Sequence, residues 1–390
     1  MAKPKLALIP STQGDKLYSV LPANGVGDFA FTRGSSATRI NSQGLIETVA
    51  SGVSRLNYPL IDGVVNGCPS HLLEPSKQNV LQRSEEFDNA YWVNNGASVN
   101  PNQTISPSGQ LNADLLTGVS GGFGVIKFST WNATNKVASF FAKKGSSNLF
   151  KIANASLSYI GVTFDLENGT VTNEDSGFEG EIENYGNGWF RCTAIDTSAR
   201  SGTFSLGVTA ASESVYIWGA QLESDYKTSY IPTTTSAATR SAETANGAGD
   251  ASTFNDSEGV LFAEISALAN DSTFRFISLS DGTSSNRVSL FFSTSNTLNA
   301  SVNGISSIGG FVGIQNNNKV AFKYKSGDYA LWVNGIEVAT STATTGNHSN
   351  LDRLNFDFGQ GSDDFYGNVK QIQYFDSALT DAELISLTTI

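Results

Sequence analysis

Histidine, methionine and cysteine are nearly missing from this 390-residue chain, which has two, one and two of them. The cysteines, Cys68 and Cys192, stand far apart and outside any metal-type spacing, which excludes a disulfide-stapled scaffold and a thiolate zinc centre. They read as buried thiols rather than as a disulfide. Charge is sparse too, at 15% of residues against the ~25% usual for globular chains. Of that charge, 24 Lys+Arg face 36 Asp+Glu, and a formal net charge of −12 repels phosphate backbones, so nucleic acid is not an expected partner. No apolar run approaches the roughly 18 residues of a membrane helix. The run Leu6–Ile9 after the basic start is cut at Pro10, too short for a signal peptide, so the expectation is synthesis in the cytoplasm without membrane insertion.

What the chain has in quantity is aromatic residues, at 11%, and glycine, at 38 residues. With short alternating runs between turn residues, they predict an all-β protein. The length allows about two or three domains with real cores. Residues 1–92 are irregular, with turn pairs such as Asn24-Gly25 and Asn66-Gly67, and read as an extended N-terminal anchoring segment that leans on something else. Residues 93–240 carry strand patterns, among them 137–141, 161–166, 189–194 and 215–222, at the spacing of a β-sandwich. In residues 241–255 small polar residues and alanine dominate, which predicts a linker. Strand patterns resume over 256–390. In Lys319–Lys325, Val320, Phe322 and Tyr324 alternate with Lys319, Ala321, Lys323 and Lys325, which predicts one packed face and one wet face. Tyr329–Val333, Asn334-Gly335 and Ile336–Val338 form a hairpin signature. Thr380-Asp-Ala-Glu383 has capping-box spacing and opens the only convincing helix.

Three stretches resemble bacteriophage and prophage virion structural proteins. They are Phe31-Thr-Arg33 with Ser35-Ser-Ala-Thr-Arg39, Gly44–Glu47 and Arg55–Tyr58; Leu72–Pro75 with Asn79–Leu81, Ser84–Phe87 and Trp92; and Trp218–Glu223 with Thr228–Thr233 and Thr239-Arg240. The resemblance spans roughly the first 240 residues and implies a carbohydrate-binding-module-like jelly roll between the motifs. The remainder, through Trp332–Gly335, Phe365–Phe375 and Ala378–Glu383, is similar to laminin-G-like and concanavalin-like domains. Together they imply two antiparallel β-sandwiches preceded by an extended arm. The recognisable motif begins close to Met1, and no fixed-period repeat is found, which fits a head fibre, a capsid decoration or a short tail fibre better than an enzymatic tailspike.

Candidate residues follow. Gly118-Val-Ser120-Gly-Gly122 matches a nucleophile-elbow pattern, but a strand pattern follows it where a helix is required, so it reads as a glycine loop. Glu179, Glu181 and Glu183 alternate along one face and read as a solvated edge strand in preference to a calcium site. Asp363 and Asp364, with Asp357 and Asp376 nearby, are calcium candidates implied by the sandwich resemblance, against the reading of a polar loop; no other cofactor is expected. A sugar site uses flat rings and polar side chains. Trp189 and Trp218 sit in apolar runs and read as core, leaving Trp131, in a polar setting, and Trp332, with either strand face packed, as glycan-binding candidates. Arg33, Arg39, Arg55 and Arg240 belong to the resembling motifs and are anchoring or assembly candidates. Two readings stand side by side for them: pairs with Glu47, Glu74, Glu223 or Glu243 that fasten the arm to the sandwich or to a neighbouring subunit, and plain surface charge.

The function expected is that of a non-enzymatic virion structural protein, with other virion proteins as partners and host-surface glycans as candidate ligands. The alternative is a glycan-cleaving depolymerase. Arms that add strands to neighbouring sheets favour a homo-oligomer, by analogy a trimer.

Overall fold

Period-2 runs become strands throughout the computed structural model, which describes residues 2–13, 16–119, 124–132, 134–198, 200–346 and 348–390, without the side chains of 11–13, 124–131 and 135. The first sandwich has two six-stranded antiparallel sheets. One runs Val93–Asn95, Gly124–Trp131, Gly202–Val208, Leu149–Asn154, Ile160–Asp165, Thr170–Glu174. The other runs Ala97–Ile105, Leu111–Gly118, Ser214–Ser224, Asn135–Lys144, Trp189–Asp196, Phe178–Asn184. Phe140, Phe150, Phe164, Leu206 and Ile217 fill the space between them, and Phe140 stacks on Phe204 at 5.4 Å. The acidic alternation lies on the edge strand Phe178–Asn184, where Lys227 bridges Glu181 and Glu183 at 2.6 and 3.0 Å.

Trp189 and Trp218 are buried, but on the outer side of the second sheet. There the hairpin of Ala37–Ile40 and Ile46–Val49 and the ring of Tyr230 cover them. Gly219 makes this possible. Its φ of +65° lies in the left-handed region, and a Cβ there would sit 2.7 Å from the Phe141 ring, at the point where the strand register against Asn135–Lys144 slips.

In the second sandwich a five-stranded sheet, Ile308–Phe311, Leu298–Val302, Arg287–Phe292, Arg275–Ser280, Arg353–Asn355, faces a larger one. The larger sheet contains Gly367–Phe375, Glu258–Ala267, Asn318–Lys325, Tyr329–Val333 and Ile336–Ser341. Asn334 and Gly335 turn the predicted hairpin at φ +51° and +83°. The capping box is present at Thr380 and Glu383, and the helix Asp381–Thr388 lies on the outer face of this sheet. That corrects the expectation of a wet face on Lys319–Lys325. Ala321 packs with Trp332, Leu384 and Leu387, and Lys323 is buried beside Asp328 at 2.8 Å.

The N-terminal residues lean on their own chain. Leu6–Gln13 pairs with the last strand, Leu6 opposite Tyr374, and Lys16–Leu21, Phe29–Thr32 and Thr244–Asn246 extend the same sheet. Leu6, Leu8, Leu17, Phe29 and Phe31 thereby join the core of the second sandwich. Residues 241–255 connect the sandwiches, but they are not a loose linker: Glu243, Ala245 and Ala248 are fully buried and one stretch is a strand. Small side chains that read as flexible serve close packing here. Cys192 is buried, whereas Cys68 is exposed, contrary to the reading of two buried thiols; both are free. No helix among the described residues is long and apolar enough to cross a membrane.

Candidate functional site

The outer face of the five-stranded sheet holds an open trough of about 470 Å³. Its floor follows from register. Ile277 and Leu279 of Arg275–Ser280, and Val288, Leu290 and Phe292 of Arg287–Phe292, point into the core, so the alternate residues face outward. Phe276 stands opposite Phe291, and Phe291 opposite Asn299. Ser278 stands opposite Ser289, and Ser289 opposite Ser301. The Phe276 and Phe291 rings stack at 4.6 Å, and Phe274, which is 42% exposed, closes the row 5.7 Å from Phe276. Phe358 folds over from the loop after Arg353–Asn355 and meets Phe276 edge-on at 4.7 Å. Ser293, Ser295, Thr297 and Ser307 supply hydroxyls along the rim. The lining includes one charged side chain, Arg287, and no carboxylate or histidine.

A second, smaller cavity of about 220 Å³ lies where the arm, the first sandwich and residues 227–230 meet, lined by Arg39, Glu183, Tyr185, Arg191, Lys227 and Tyr230 among others. Its charges are already satisfied. Arg191 Nη1 donates to the Thr228 carbonyl at 2.8 Å and Nη2 to Ser139 Oγ at 2.9 Å, and Lys227 holds Glu183. Glu74, at its inner wall, is part of a buried ionic hub. Arg33 Nη1 donates to Glu243 Oε1 at 2.7 Å, and Arg55 donates through Nε and Nη2 to both oxygens of Glu243. Arg55 and Arg240 flank Glu74 at 2.8 and 3.0 Å, and Ser229 Oγ donates to it at 2.6 Å. Burial alone raises the Glu74 carboxyl, but Arg240 and Arg55 outweigh it and hold the group down at about 2.

The arginines from the resembling motifs thus meet carboxylates within one chain. Arg33, Arg55 and Arg240 are fully buried in the hub, and Arg39 makes a partly exposed pair with Glu47 at 2.5 Å. Glu223 pairs instead with Thr228 and Gln221. Trp332 is 6% exposed beneath the terminal helix, which corrects its candidacy as a stacking platform. The side chain of Trp131, like Ser120–Gly122 of the elbow pattern, lies outside the described residues. Asp364 accepts from the Tyr366 hydroxyl at 3.2 Å, and the Asp363 carbonyl accepts from the Phe276 backbone N–H at 3.1 Å. Burial raises the carboxyl groups of Asp357 and Asp364. Among the described residues no group of three or more histidine, cysteine, aspartate or glutamate side chains is placed to hold a metal.

The trough residues escape a reading that weighs tryptophan first. A signal is nonetheless present in the sequence: Ile277 and Leu279, like Val288, Leu290 and Phe292, alternate with a set that mixes phenylalanine and serine, Phe276, Ser278 and Ser280 in one strand and Arg287, Ser289 and Phe291 in the other. An outward face that carries rings among hydroxyls, and buries them, is unusual for a sheet with one side on the core.

No protein-family model matches the chain, and no curated protein matches it. Among solved structures it is similar to the CBM40 module of a Ruminococcus gnavus IT-sialidase bound to alpha2,3 sialyllactose, at 19% identity over 34% of this chain and 83% of that one, with a TM-score of 0.31. It is also similar to domain 4 of AbnA, a GH43 extracellular arabinanase from Geobacillus stearothermophilus in complex with arabinotriose, at 12% identity over 43% and 83%, with a TM-score of 0.32. A third is Trypanosoma rangeli sialidase, at 9% identity over 70% and 60%, with a TM-score of 0.30. Likenesses this remote carry no argument about ligand or reaction.

Proposed function

We propose that the chain is a non-enzymatic attachment protein that holds a host-surface glycan in the trough of its second sandwich. The trough itself carries the reading. A sugar presents an apolar ring face and a fringe of hydroxyls, and both are complemented by Phe274, the exposed end of the phenylalanine row that Phe276 and Phe291 back from beneath, with Asn299, Ser301 and the serine rim alongside. Binding without cleavage is favoured by the lining, since glycoside hydrolysis needs two carboxyl groups across the scissile bond and this trough has none. The acids of the smaller cavity are paired with cations, and burial pushes His71 down to about 3. The setting we propose is a virion, as a head fibre, capsid decoration or short tail fibre attached to other virion proteins; the resemblance of the N-terminal motifs supports it.

The test is retention of the full chain on a glycan array, with reducing-end analysis of the retained glycan. Phe274→Ala, at a partly exposed ring with little core role, is expected to weaken retention about tenfold, equal to about 1.4 kcal/mol, with the unfolding midpoint unchanged. Absence of retention on every glycan contradicts the reading, and so does release of new reducing ends.

A further inference from the structure

Arg287 is the one charged residue of the trough, and its surroundings are unusual for a cation. It is 8% exposed, and its guanidinium carbon lies over the Phe358 ring, 3.7 Å from the centroid. Nη1 donates to the Ser284 carbonyl at 3.0 Å, and Nε is buried without a hydrogen-bond partner. Among the described residues no carboxylate lies within ion-pair distance of it. Of the other deeply buried arginines, Arg33, Arg55 and Arg240 reach carboxylates in the hub and Arg275 reaches Asp271 at 2.5 Å, while Arg191 is held by the Thr228 carbonyl and the Ser139 hydroxyl and lies in no trough of phenylalanine rings. A chain with net charge −12 has ample acid to neutralise Arg287 and places none beside it. A buried cation with only a carbonyl and a ring face for company destabilises the fold unless something anionic completes it. Burial lowers the guanidinium below its ordinary value, and no neighbouring charge offsets that.

The Phe358 ring on one side and the Ser284 carbonyl on Nη1 hold the guanidinium in place, which is the preorganisation that recognition of a carboxylate uses. The trough also places that cation among the sugar-type contacts, with the Phe276 and Phe291 stack on the floor and Asn299 and Ser301 beside it. We infer that the trough is selective for an acidic saccharide, a sugar whose ring packs on the phenylalanine row while its carboxylate is received by Arg287. This inference rests on the proposed glycan-binding function and narrows its ligand class. Sulfate and phosphate esters present a related negative charge, so the test separates them from carboxylates.

The experiment measures binding of the full chain to immobilised polygalacturonate, polysialic acid, carboxyl-reduced polygalacturonate, dextran and dextran sulfate by biolayer interferometry. At least one carboxylated polymer is expected to bind tenfold or more tighter than neutral polymers, with the advantage lost at high salt. Arg287→Gln is expected to reduce that preference to within about twofold, and Arg287→Lys to restore part of it. Phe274→Ala is expected to weaken acidic and neutral polymers alike. Should Arg287→Gln fail to fold, the salt dependence and the polygalacturonate pair on the unmutated chain still decide the matter. Equal binding of acidic and neutral polymers overturns the inference while leaving glycan binding intact. Preference for dextran sulfate over both carboxylated polymers also overturns it. Binding to none of them and to no array glycan overturns both readings.

Discussion

Glu243→Ala is expected to remove about 3–5 kcal/mol of stability, a large share of the ~5–15 kcal/mol that holds a folded protein together. Glu243 is fully buried and is the shared acceptor for Arg33, Arg55 and the Glu74 backbone N–H. Without it the hub keeps Arg33, Arg55 and Arg240 against Glu74 alone, in a place water does not reach. Urea unfolding followed by tryptophan fluorescence checks this, with Arg39→Ala as the contrast. The Arg39 pair with Glu47 is partly exposed, so its loss is expected to change stability by no more than about 1 kcal/mol. The hub also predicts an acid limb. The folded value for Glu74, about 2, lies below its ordinary value of 4.5. Its contribution is therefore fully present above about pH 4.5 and is lost as pH falls toward 2. Equal effects of the Glu243 and Arg39 substitutions would contradict the account of the hub.

Deletion of residues 1–21 is expected to abolish cooperative folding of the second sandwich. The deletion strips one neighbour from the last strand, Gly367–Phe375, and removes Leu6, Leu8 and Leu17 from the core. Burying each leucine contributes about 1.5–3 kcal/mol, so the three together rival the whole stability of a domain. Limited proteolysis with mass spectrometry is expected to find residues 256–390 cut rapidly. A segment kept free to add strands to another subunit would leave both sandwiches intact when removed. Unchanged protease resistance would therefore contradict the intramolecular pairing and return the arm to an anchoring role.

The two sandwiches were readable because alternation, turn pairs and the capping box are local signals. Tyr329–Val333 has the predicted bounds as a strand, and strands resume after residue 256 as expected. What escaped was set by distant partners. Residues 241–255 have the composition of a linker, and only the arrival of Arg33 and Arg55 on Glu243, from about 190–210 residues away, explains why they are packed. Trp332 could face either way by period alone, and the terminal helix decided it by covering the second face as well. The pairing of the motif arginines with Glu47, Glu74 and Glu243 was legible as chemistry, since sparse charge concentrated in motifs points to specific partners. The trough was the least legible feature. Phenylalanine in a strand reads as core, and only cross-strand register sets Phe276 beside Phe291 on the outer face.

The most direct measurement is hydrogen–deuterium exchange on the full chain with and without a saturating glycan taken from the array, with the glycan recovered and weighed by mass spectrometry afterwards. The account predicts slowed exchange in Arg275–Ser280, Arg287–Phe292, Leu298–Val302 and the Phe358 loop, and a glycan of unchanged mass. Protection centred instead on residues 183–191 and 227–230, or a shortened glycan, would contradict it.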